Sequence, residues 1–492
     1  MSTRADGRPR LTVVGAGPAG MAGAVAAADA GVSVTVIDAG TSAGGQFYRQ
    51  PAARLHARRP QALHHAWRTW LSLRSRFDGH VAAGRIVHLA DHHVWFAEKT
   101  DDDGYGFRVH ALIGPEQQDS VSITAEALLL ATGAYERVLP FPGWILPGVV
   151  TAGGAQAILK GNLVLPGRNV VVAGTGPLLL PVAAGLAAAG ARVSALIEAA
   201  DLRKLIDPRK LIPHAPLLTT QPDKLAEAAG YAARLARHRI PVRYGHVVLA
   251  AHGAERVEAV TVAALDEEGL VRAGSERRIA CDSLAISHGL LPHLDLAQSL
   301  GARLGGEGDG SSDGSDTGGL RVLVDGEQRT DIPGLWAAGE AAGIGGAALA
   351  RAEGELAGRS IGARLHGREP DPAELAEADR ARSRSRAFFA ALEQAYSSPA
   401  NWAELPTGDT TVCRCEEVPA SAVRTAVQEY GATDLRTVKL LTRAGMGWCQ
   451  GRMCSPGVAA VAGCPMTASR MPLARPVPLG VLARTDSDEE GT

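Results

Sequence analysis

The sequence predicts an α/β fold with two Rossmann-like dinucleotide-binding domains and a small, mostly helical C-terminal domain. Two observations predict the Rossmann-like part: a strand–turn–helix–strand pattern covers residues 11–38, and the same pattern returns at residues 168–198. In both places a glycine-rich turn separates the first strand from the helix. The third observation is a late group of four cysteines: Cys413, Cys415, Cys449 and Cys454.

Length and charge limit the classes of protein to which the chain can belong. With 492 residues it has room for about three domains, and a formal net charge of −2 gives no general attraction to nucleic acid. The first ten residues are polar, and every long apolar run is broken by glycine, proline or charge. We therefore expect a cytoplasmic protein without a transmembrane segment, and a peripheral position at the inner face of the membrane stays open. The six cysteines do not form the spacing of a secreted disulfide framework.

The first repeat has every part of a dinucleotide site. Leu11 to Val14 reads as a strand, and the turn that follows it is Gly15-Ala16-Gly17-Pro18-Ala19-Gly20. The first glycine permits the tight turn, the second lets a pyrophosphate approach the backbone, and the third lets the helix pack on the strand. The helix N-terminus offers N–H groups to the phosphates. Asp38 closes the second strand and is expected to bind a ribose hydroxyl.

Three further segments indicate which dinucleotide this site binds. They are Gly44-Gly45-Gln46, Thr132-Gly133 and, far downstream in the stretch WAAGE, Gly339-Glu340. In this order they resemble the FAD signatures of the pyridine nucleotide–disulfide reductase superfamily, which usually has Asp at the position of Glu340. The resemblance implies that FAD contacts all three segments. It also implies an FAD domain that is split in sequence, with the second domain inserted between its halves.

The second turn departs from a dinucleotide site at one position. In Gly174-Thr-Gly176-Pro-Leu-Leu179 a leucine replaces the third glycine, and it would crowd the contact between helix and strand. Glu198 at the end of the next strand favours NAD(H) over NADP(H). NAD, another adenine nucleotide and an unused site all remain open. Disulfide reductase chemistry is excluded because no cysteine pair is present here, and Cys281 reads as a buried structural thiol.

The late cysteines have the spacing of a metal or cluster site. Four thiolates in two pairs can hold a [2Fe–2S] cluster or a zinc ion, but the first pair, C-x-C, is too tight for an ordinary zinc knuckle. Lys439, Arg443 and the glycine-rich residues 444–447 are expected to offset the cluster's charge and donate N–H bonds to its sulfurs. The module resembles bacterioferritin-associated ferredoxin, with the difference that the second pair here is C-x₄-C.

Nearly the whole chain resembles one group of flavoproteins. The segments GGQFYRQP, LLLPVA, WAAGE and GMGWCQGRMC occur in the order found in the large (A or α) subunits of opine oxidase, hydrogen cyanide synthase, dye-linked proline or hydroxyproline dehydrogenase and sarcosine oxidase. The resemblance implies an FAD-dependent oxidoreductase that passes electrons through FAD and a [2Fe–2S] cluster. It also implies a hetero-oligomer in which a smaller FAD subunit, similar to D-amino-acid oxidases, oxidises the amine or amino acid. No catalytic base is evident in this chain.

Two other functions remain open from the residues alone. One is a self-contained NAD(P)H-dependent reductase that feeds its own cluster, and the other is a redox sensor or scaffold that keeps FAD structurally. Residues 304–319 read as a low-complexity surface insertion, and the last seven residues as disordered. The predicted division of the chain is 1–155 for the first part of the FAD domain, 156–290 for the inserted NAD(P)-binding-like domain, 291–370 for the second part of the FAD domain, 371–408 for a helical linker, 409–470 for the BFD-like [2Fe–2S] domain and 471–492 for the tail.

Overall fold

The structure is a computed structural model that describes residues 8–100, 106–201, 222–305, 320–396, 402–466 and 473–484. The strands are β1 Arg10–Val14, β2 Ser33–Asp38, β3 Ile86–Ala90, β4 His92–Lys99, β5 Phe107–Ile113, β6 Asp119–Ala125, β7 Ala127–Leu130, β8 Ala134–Glu136, β9 Val149–Thr151, β10 Asn169–Gly174, β11 Arg192–Glu198, β12 Val242–Tyr244, β13 His246–His252, β14 Ala259–Ala264, β15 Arg277–Ala280, β16 Ser283–Ser287, β17 Leu290–Pro292, β18 Leu304–Gly305, β19 Arg321–Val322, β20 Leu335–Ala337, β21 Thr411–Cys413 and β22 Val418–Pro419.

The helices follow the same order along the chain. They are α1 Pro18–Asp29, α2 Trp67–Ala82, α3 Ala152–Asn162, α4 Leu179–Ala188, α5 Pro222–Arg237, α6 Asp295–Ser299, α7 Gly346–Leu365, α8 Pro372–Ala395, α9 Ala420–Gln428, α10 Leu435–Thr442, α11 Ser455–Ala462 and α12 Leu479–Leu482. Short 3₁₀ turns lie at Ala53–Leu55, Pro60–Leu63, Gly339–Ala342 and Trp402–Glu404.

The first domain is assembled from two distant parts of the chain. Its parallel sheet has the order β20-β7-β1-β2-β3, and Leu335 of β20 pairs with Leu128 of β7. Both faces of the sheet are covered, by α1 and α7 on one side and the antiparallel sheet β4-β5-β6 on the other, so its central strands β7 and β1 are buried almost throughout. Helices α1 and α7 touch through glycine: a Cβ at Gly354 would lie 2.0 Å from the carbonyl oxygen of Ala19.

The inserted domain repeats this architecture. Its parallel sheet has the order β12-β11-β10-β16-β9, with α3, α4 and α5 packed on one face and the antiparallel sheet β13-β14-β15 on the other. The short pair β17-β8 then returns the chain to the first domain.

A small helical module completes the fold. The hairpin β21-β22 and helices α9, α10 and α11 enclose a separate core, in which Val412, Val423 and Val438 are fully buried. The module packs against the rest of the molecule. At this contact the Trp144 indole N–H donates to the carbonyl of Thr411 at 2.6 Å. The two Rossmann-like domains and the helical C-terminal domain that the sequence predicts are confirmed.

Some boundaries differ from those the pattern predicts. Helix α1 begins at Pro18, three residues before the predicted start, because proline at the first helical position loses no hydrogen bond. Helix α4 begins at Leu179, after a turn that takes up Pro177 and Leu178. Of the predicted insertion at 304–319, residues 306–319 lie outside the described residues, as does the acidic C-terminal end.

Candidate functional site

The turn from Gly15 to Gly20 is tight on one side and open on the other. Gly15 has a φ of +103°, and a Cβ there would lie 2.3 Å from the carbonyl oxygen of Ala131. A Cβ on Gly20 would lie 1.8 Å from the carbonyl oxygen of Gly15. A Cβ on Gly17, in contrast, would meet only the Cα of Gly45 at 4.0 Å, and the N-terminus of α1 has no side-chain cap. The turn therefore leaves room for a phosphate at the positive end of α1.

Asp38 lies beside this opening. Its carboxylate accepts hydrogen bonds from the amides of Ala16 at 3.2 Å and Gly40 at 3.0 Å. Burial raises the pKa of Asp38, and the two backbone hydrogen bonds oppose that rise. Each carboxylate oxygen has a further lone pair, so the group can still accept a bond from a ribose hydroxyl.

The loop that contains Gly45 and Gln46 crosses over the turn. A Cβ on Gly45 would lie 2.8 Å from the Cα of Gly17, and the preceding glycine, Gly44, donates its amide to the carbonyl of Ala16 at 2.8 Å. The Gln46 side-chain oxygen accepts two bonds from the Arg49 guanidinium, at 2.7 and 3.2 Å. The loop and the turn thus form the two walls of one cleft.

Thr132 and Gly133 lie at the end of β7. The Thr132 hydroxyl donates to the carbonyl of His293 at 2.8 Å, and the His293 amide donates to the carbonyl of Gly133 at 2.9 Å. Gly133 has a φ of +74°, and a Cβ there would have no heavy atom within 4 Å. The Thr132 side chain therefore joins two parts of the domain. The space beside Gly133 is free of protein atoms.

An ion pair between Glu353 and Arg386 supports the Gly339-Glu340 segment. The amide of Gly339 donates to the Glu353 carboxylate at 2.9 Å, and that fully buried carboxylate pairs with Arg386. The carboxylate of Glu340 accepts bonds from the amides of Gly345 and Gly346, at the start of α7. Burial raises the pKa of Glu340 to about 7. The resemblance gives this acidic residue a contact with the FAD, and that contact stays a prediction.

The second turn repeats the acidic contacts of the first and differs from it at Leu179. The Glu198 carboxylate accepts bonds from the amides of Gly176 at 3.1 Å and Ala200 at 2.9 Å, and burial raises its pKa to about 7. Leu179 is fully buried in the domain core. Burial raises the pKa of Tyr396, and the nearby Glu198 carboxylate adds to that rise, so this tyrosine also lies close to the turn. A Cβ on Gly176 would have no heavy atom within 4 Å, so this turn is open as well, and Leu179 in place of the third glycine is its departure from the first turn.

The four late cysteines converge at one end of the C-terminal module. Side-chain hydrogen bonds join Cys449 to both Cys454 and Cys415, and a third joins Cys454 to Cys413. The hydrogen bond from Cys454 is the main cause that lowers the pKa of Cys449, to about 5. The loop between α10 and α11 contacts one of these sulfurs directly. The Gly445 amide donates a hydrogen bond to the Cys413 sulfur at 3.4 Å.

Two pairs of thiols match the ligand set of a di-iron cluster, which divides four thiolates between two irons. Among the residues that the structure describes, no three or more His, Cys, Asp and Glu side chains form a group that could hold one metal ion. Arg443, one of the cations expected to offset the charge of the cluster, pairs at 2.8 Å with Glu416, which follows Cys415 in the chain.

Comparison with known families identifies both parts of the chain. Residues 9–354 match the family model described as pyridine nucleotide-disulphide oxidoreductase. The chain belongs to the pyridine nucleotide-disulphide oxidoreductase family. Residues 411–462 match the BFD-like [2Fe-2S] binding domain. The predicted cofactors of this oxidoreductase, FAD and a [2Fe–2S] cluster, are thereby confirmed.

Relatives of this oxidoreductase include components of larger enzymes. It is 33% identical to the HcnB subunit of hydrogen cyanide synthase from Pseudomonas protegens over 90% of this chain and 89% of that protein. It is 31% identical to the large (A) subunit of opine oxidase from Agrobacterium tumefaciens over 91% of this chain and 84% of that protein. The resemblance to this group of large subunits is confirmed.

More distant similarity extends to a sarcosine oxidase subunit and to one solved structure. The alpha subunit of sarcosine oxidase from Corynebacterium sp. is 30% identical over 58% of this chain, which is 27% of that longer protein. The crystal structure of L-proline dehydrogenase from P. horikoshii superposes with a TM-score of 0.62, covering 97% of this chain and 80% of that one. At 20% identity this last similarity shows the fold alone.

The described helices also bear on membrane insertion. None of those within the described ranges combines the length and the apolar character needed to cross a bilayer.

Proposed function

We propose that this oxidoreductase is the electron-transferring large subunit of an amine or amino-acid dehydrogenase complex. The observation that carries the proposal is the direct contact between the flavin domain and the cysteine module, where Asp295 and Arg452 form an ion pair at 2.8 Å. FAD can exchange two electrons at once or one at a time, whereas a [2Fe–2S] cluster exchanges single electrons. One chain in which the domains for both groups are in contact suits the conversion of a two-electron oxidation into one-electron steps.

In this proposal each group has its own set of contact residues. We assign the FAD pyrophosphate to the opening above Gly17, and the ribose to Asp38. The remaining FAD contacts in this proposal come from Gly15, Ala16, Pro18, Ala19, Gly20, Gly45, Gln46, Thr132, Gly133, Gly339 and Glu340. The cluster ligands are Cys413, Cys415, Cys449 and Cys454.

In this proposal the oxidation of the substrate takes place on a separate partner protein. The turn at Gly17 and the loop at Gly45 meet through backbone atoms, and neither glycine offers a proton-abstracting base. A smaller FAD subunit similar to D-amino-acid oxidases would take the substrate, of the opine, proline, hydroxyproline, glycine or sarcosine type. The complex would work in the cytoplasm, or against the inner face of the membrane.

Purification of the tagged chain from its native cells tests this proposal. We expect a second flavoprotein to purify with it, and the complex, but neither chain alone, to reduce an artificial electron acceptor when one amine from that panel is added. The alternative of a self-contained NAD(P)H-dependent reductase predicts the opposite result. In that case NADH or NADPH would reduce the isolated chain rapidly, and no amine would reduce the complex.

A further inference from the structure

A two-point ion pair joins the cysteine module to the flavin domain. Arg452 donates from Nη2 to Asp295 Oδ1 at 2.8 Å and from Nε to Asp295 Oδ2 at 3.2 Å. The side chains are only 16% and 13% exposed, respectively. A forked guanidinium–carboxylate pair fixes both distance and orientation, and loss of either partner would leave a shielded charge without its counterion.

On the cysteine side, the same arginine holds the backbone of a cluster ligand. Arg452 Nη1 donates to the carbonyl oxygen of Cys449 at 3.2 Å, and Nη2 also reaches the carbonyl of Ala474. The guanidinium therefore connects the loop of the second cysteine pair with two other segments. Any shift of Arg452 would shift the position of Cys449 as well.

On the flavin side, the aspartate is linked to the Thr132-Gly133 segment. Asp295 Oδ2 lies 3.4 Å from His293 Nδ1, and the backbone of His293 bonds both Thr132 and Gly133. The His293 ring packs edge-on against Tyr135, with 6.0 Å between the ring centroids. A continuous series of contacts thus runs from the predicted flavin contact at Gly133 to the cluster ligand Cys449.

We infer that Asp295 and Arg452 are positioning residues that fix the separation between the flavin and the cluster, with Tyr135 and His293 filling the space between them. The inference rests on the proposed function, since it assumes that electrons pass between the two groups. Each passage takes one electron from the reduced flavin and converts one ferric ion of the cluster to ferrous. The rate of such a transfer falls exponentially with distance, so a small displacement of the module slows it strongly.

Asp295→Asn tests the inference without touching the cysteine module, because it keeps the side-chain volume and removes the charge. Arg452→Lys keeps the charge and removes the fork. Arg484→Ala is the matched control, since Arg484 pairs with Asp119 across 3.4 Å between two segments that are also distant in sequence, but on an exposed surface. Iron, acid-labile sulfide and FAD are measured first. The rate of cluster reduction after a light flash that reduces the flavin is then followed by freeze-quench electron paramagnetic resonance.

We expect Asp295→Asn to retain both groups, to slow cluster reduction about tenfold or more, and to speed hydrogen exchange of the amides at 449–454. Arg452→Lys should fall between this variant and the wild type, and Arg484→Ala should match the wild type. An unchanged rate and exchange in Asp295→Asn would overturn the inference, and so would loss of the cluster, because Asp295 would then serve retention of the cluster. If no electron passes in the wild type, the proposed function fails. Hydrogen exchange at 449–454 would still report whether the ion pair between Asp295 and Arg452 holds the cysteine loop in place.

Discussion

The sharpest test of the FAD site is the substitution Gly17→Leu. The backbone of Gly17 is extended, with φ −76° and ψ −174°, so leucine can adopt it without strain. A Cβ would meet no protein atom closer than 4.0 Å, and the fold should therefore survive. The leucine side chain would instead fill the opening above the N-terminus of α1.

The expected loss of affinity follows from the hydrogen bonds that this opening allows. If the pyrophosphate loses two charge-assisted bonds to the amides of the first turn, the cost is about 3–6 kcal/mol, at about 1.5–3 kcal/mol each. That corresponds to a dissociation constant for FAD about 10²- to 10⁴-fold higher. Gly15→Ala is the contrasting variant, since its positive φ and a Cβ 2.3 Å from the Ala131 carbonyl oxygen predict damage to the fold itself.

The assay is titration of the flavin-free protein with FAD, followed by calorimetry, with a thermal melt of each variant. Gly17→Leu should melt like the flavin-free wild type and bind FAD weakly or not at all. Gly15→Ala should melt at a clearly lower temperature. A Gly17→Leu protein that purifies with a full complement of FAD would refute the assignment of the pyrophosphate to this turn.

Three further predictions concern the other sites. Cys449→Ser should lose iron and acid-labile sulfide but keep its FAD; unchanged iron content would exclude Cys449 as a ligand. NADH alone should not bleach the flavin rapidly, because Leu179 replaces the third glycine that lets a dinucleotide-binding turn pack closely, and fast bleaching in a stopped-flow experiment would contradict this. The pKa of Glu198 rises from 4.5 to about 7 on folding, so the folded state binds more protons between these values and the free energy of unfolding falls as pH rises through them, by about 3 kcal/mol. Glu198→Gln should reduce that fall in urea titrations across this pH range, and an unaltered pH dependence would count against the buried carboxylate.

Local patterns in the sequence were enough to predict most of the fold. Strand β7 is a continuous apolar run, β1 is apolar at Leu11, Val13 and Val14, and glycines mark the turns that follow β1 and β10. The spacing of Gly15, Gly17 and Gly20 predicts their different roles because each role depends on the absence of a side chain. Such features involve residues close together in sequence, so no knowledge of long-range contacts is required.

The residues that the sequence did not reveal act through distant partners. Glu353 supports Gly339 from the middle of α7, and its partner Arg386 lies in the polar helix α8. Asp295 and Arg452 meet only because two separate domains dock. Arg452 does lie in the segment GMGWCQGRMC, but the cysteines carry the signal of that segment, and a charged residue in a helix or loop is usually solvated. The ion pair between Arg443 and Glu416 was likewise not evident from spacing, and the role of Arg443 beside the cluster stays a prediction.

The central claim is that electrons entering at the flavin reach the cluster within this chain. Anaerobic illumination of the isolated, fully loaded protein with a tertiary-amine electron donor such as EDTA reduces the flavin by its own photochemistry, and electron paramagnetic resonance reports the cluster. We predict that the signal of a reduced [2Fe–2S] cluster grows as the flavin is bleached, and that it is absent in Cys449→Ser. Complete bleaching of the flavin beside a cluster that stays oxidised, although dithionite can reduce it, would contradict the claim.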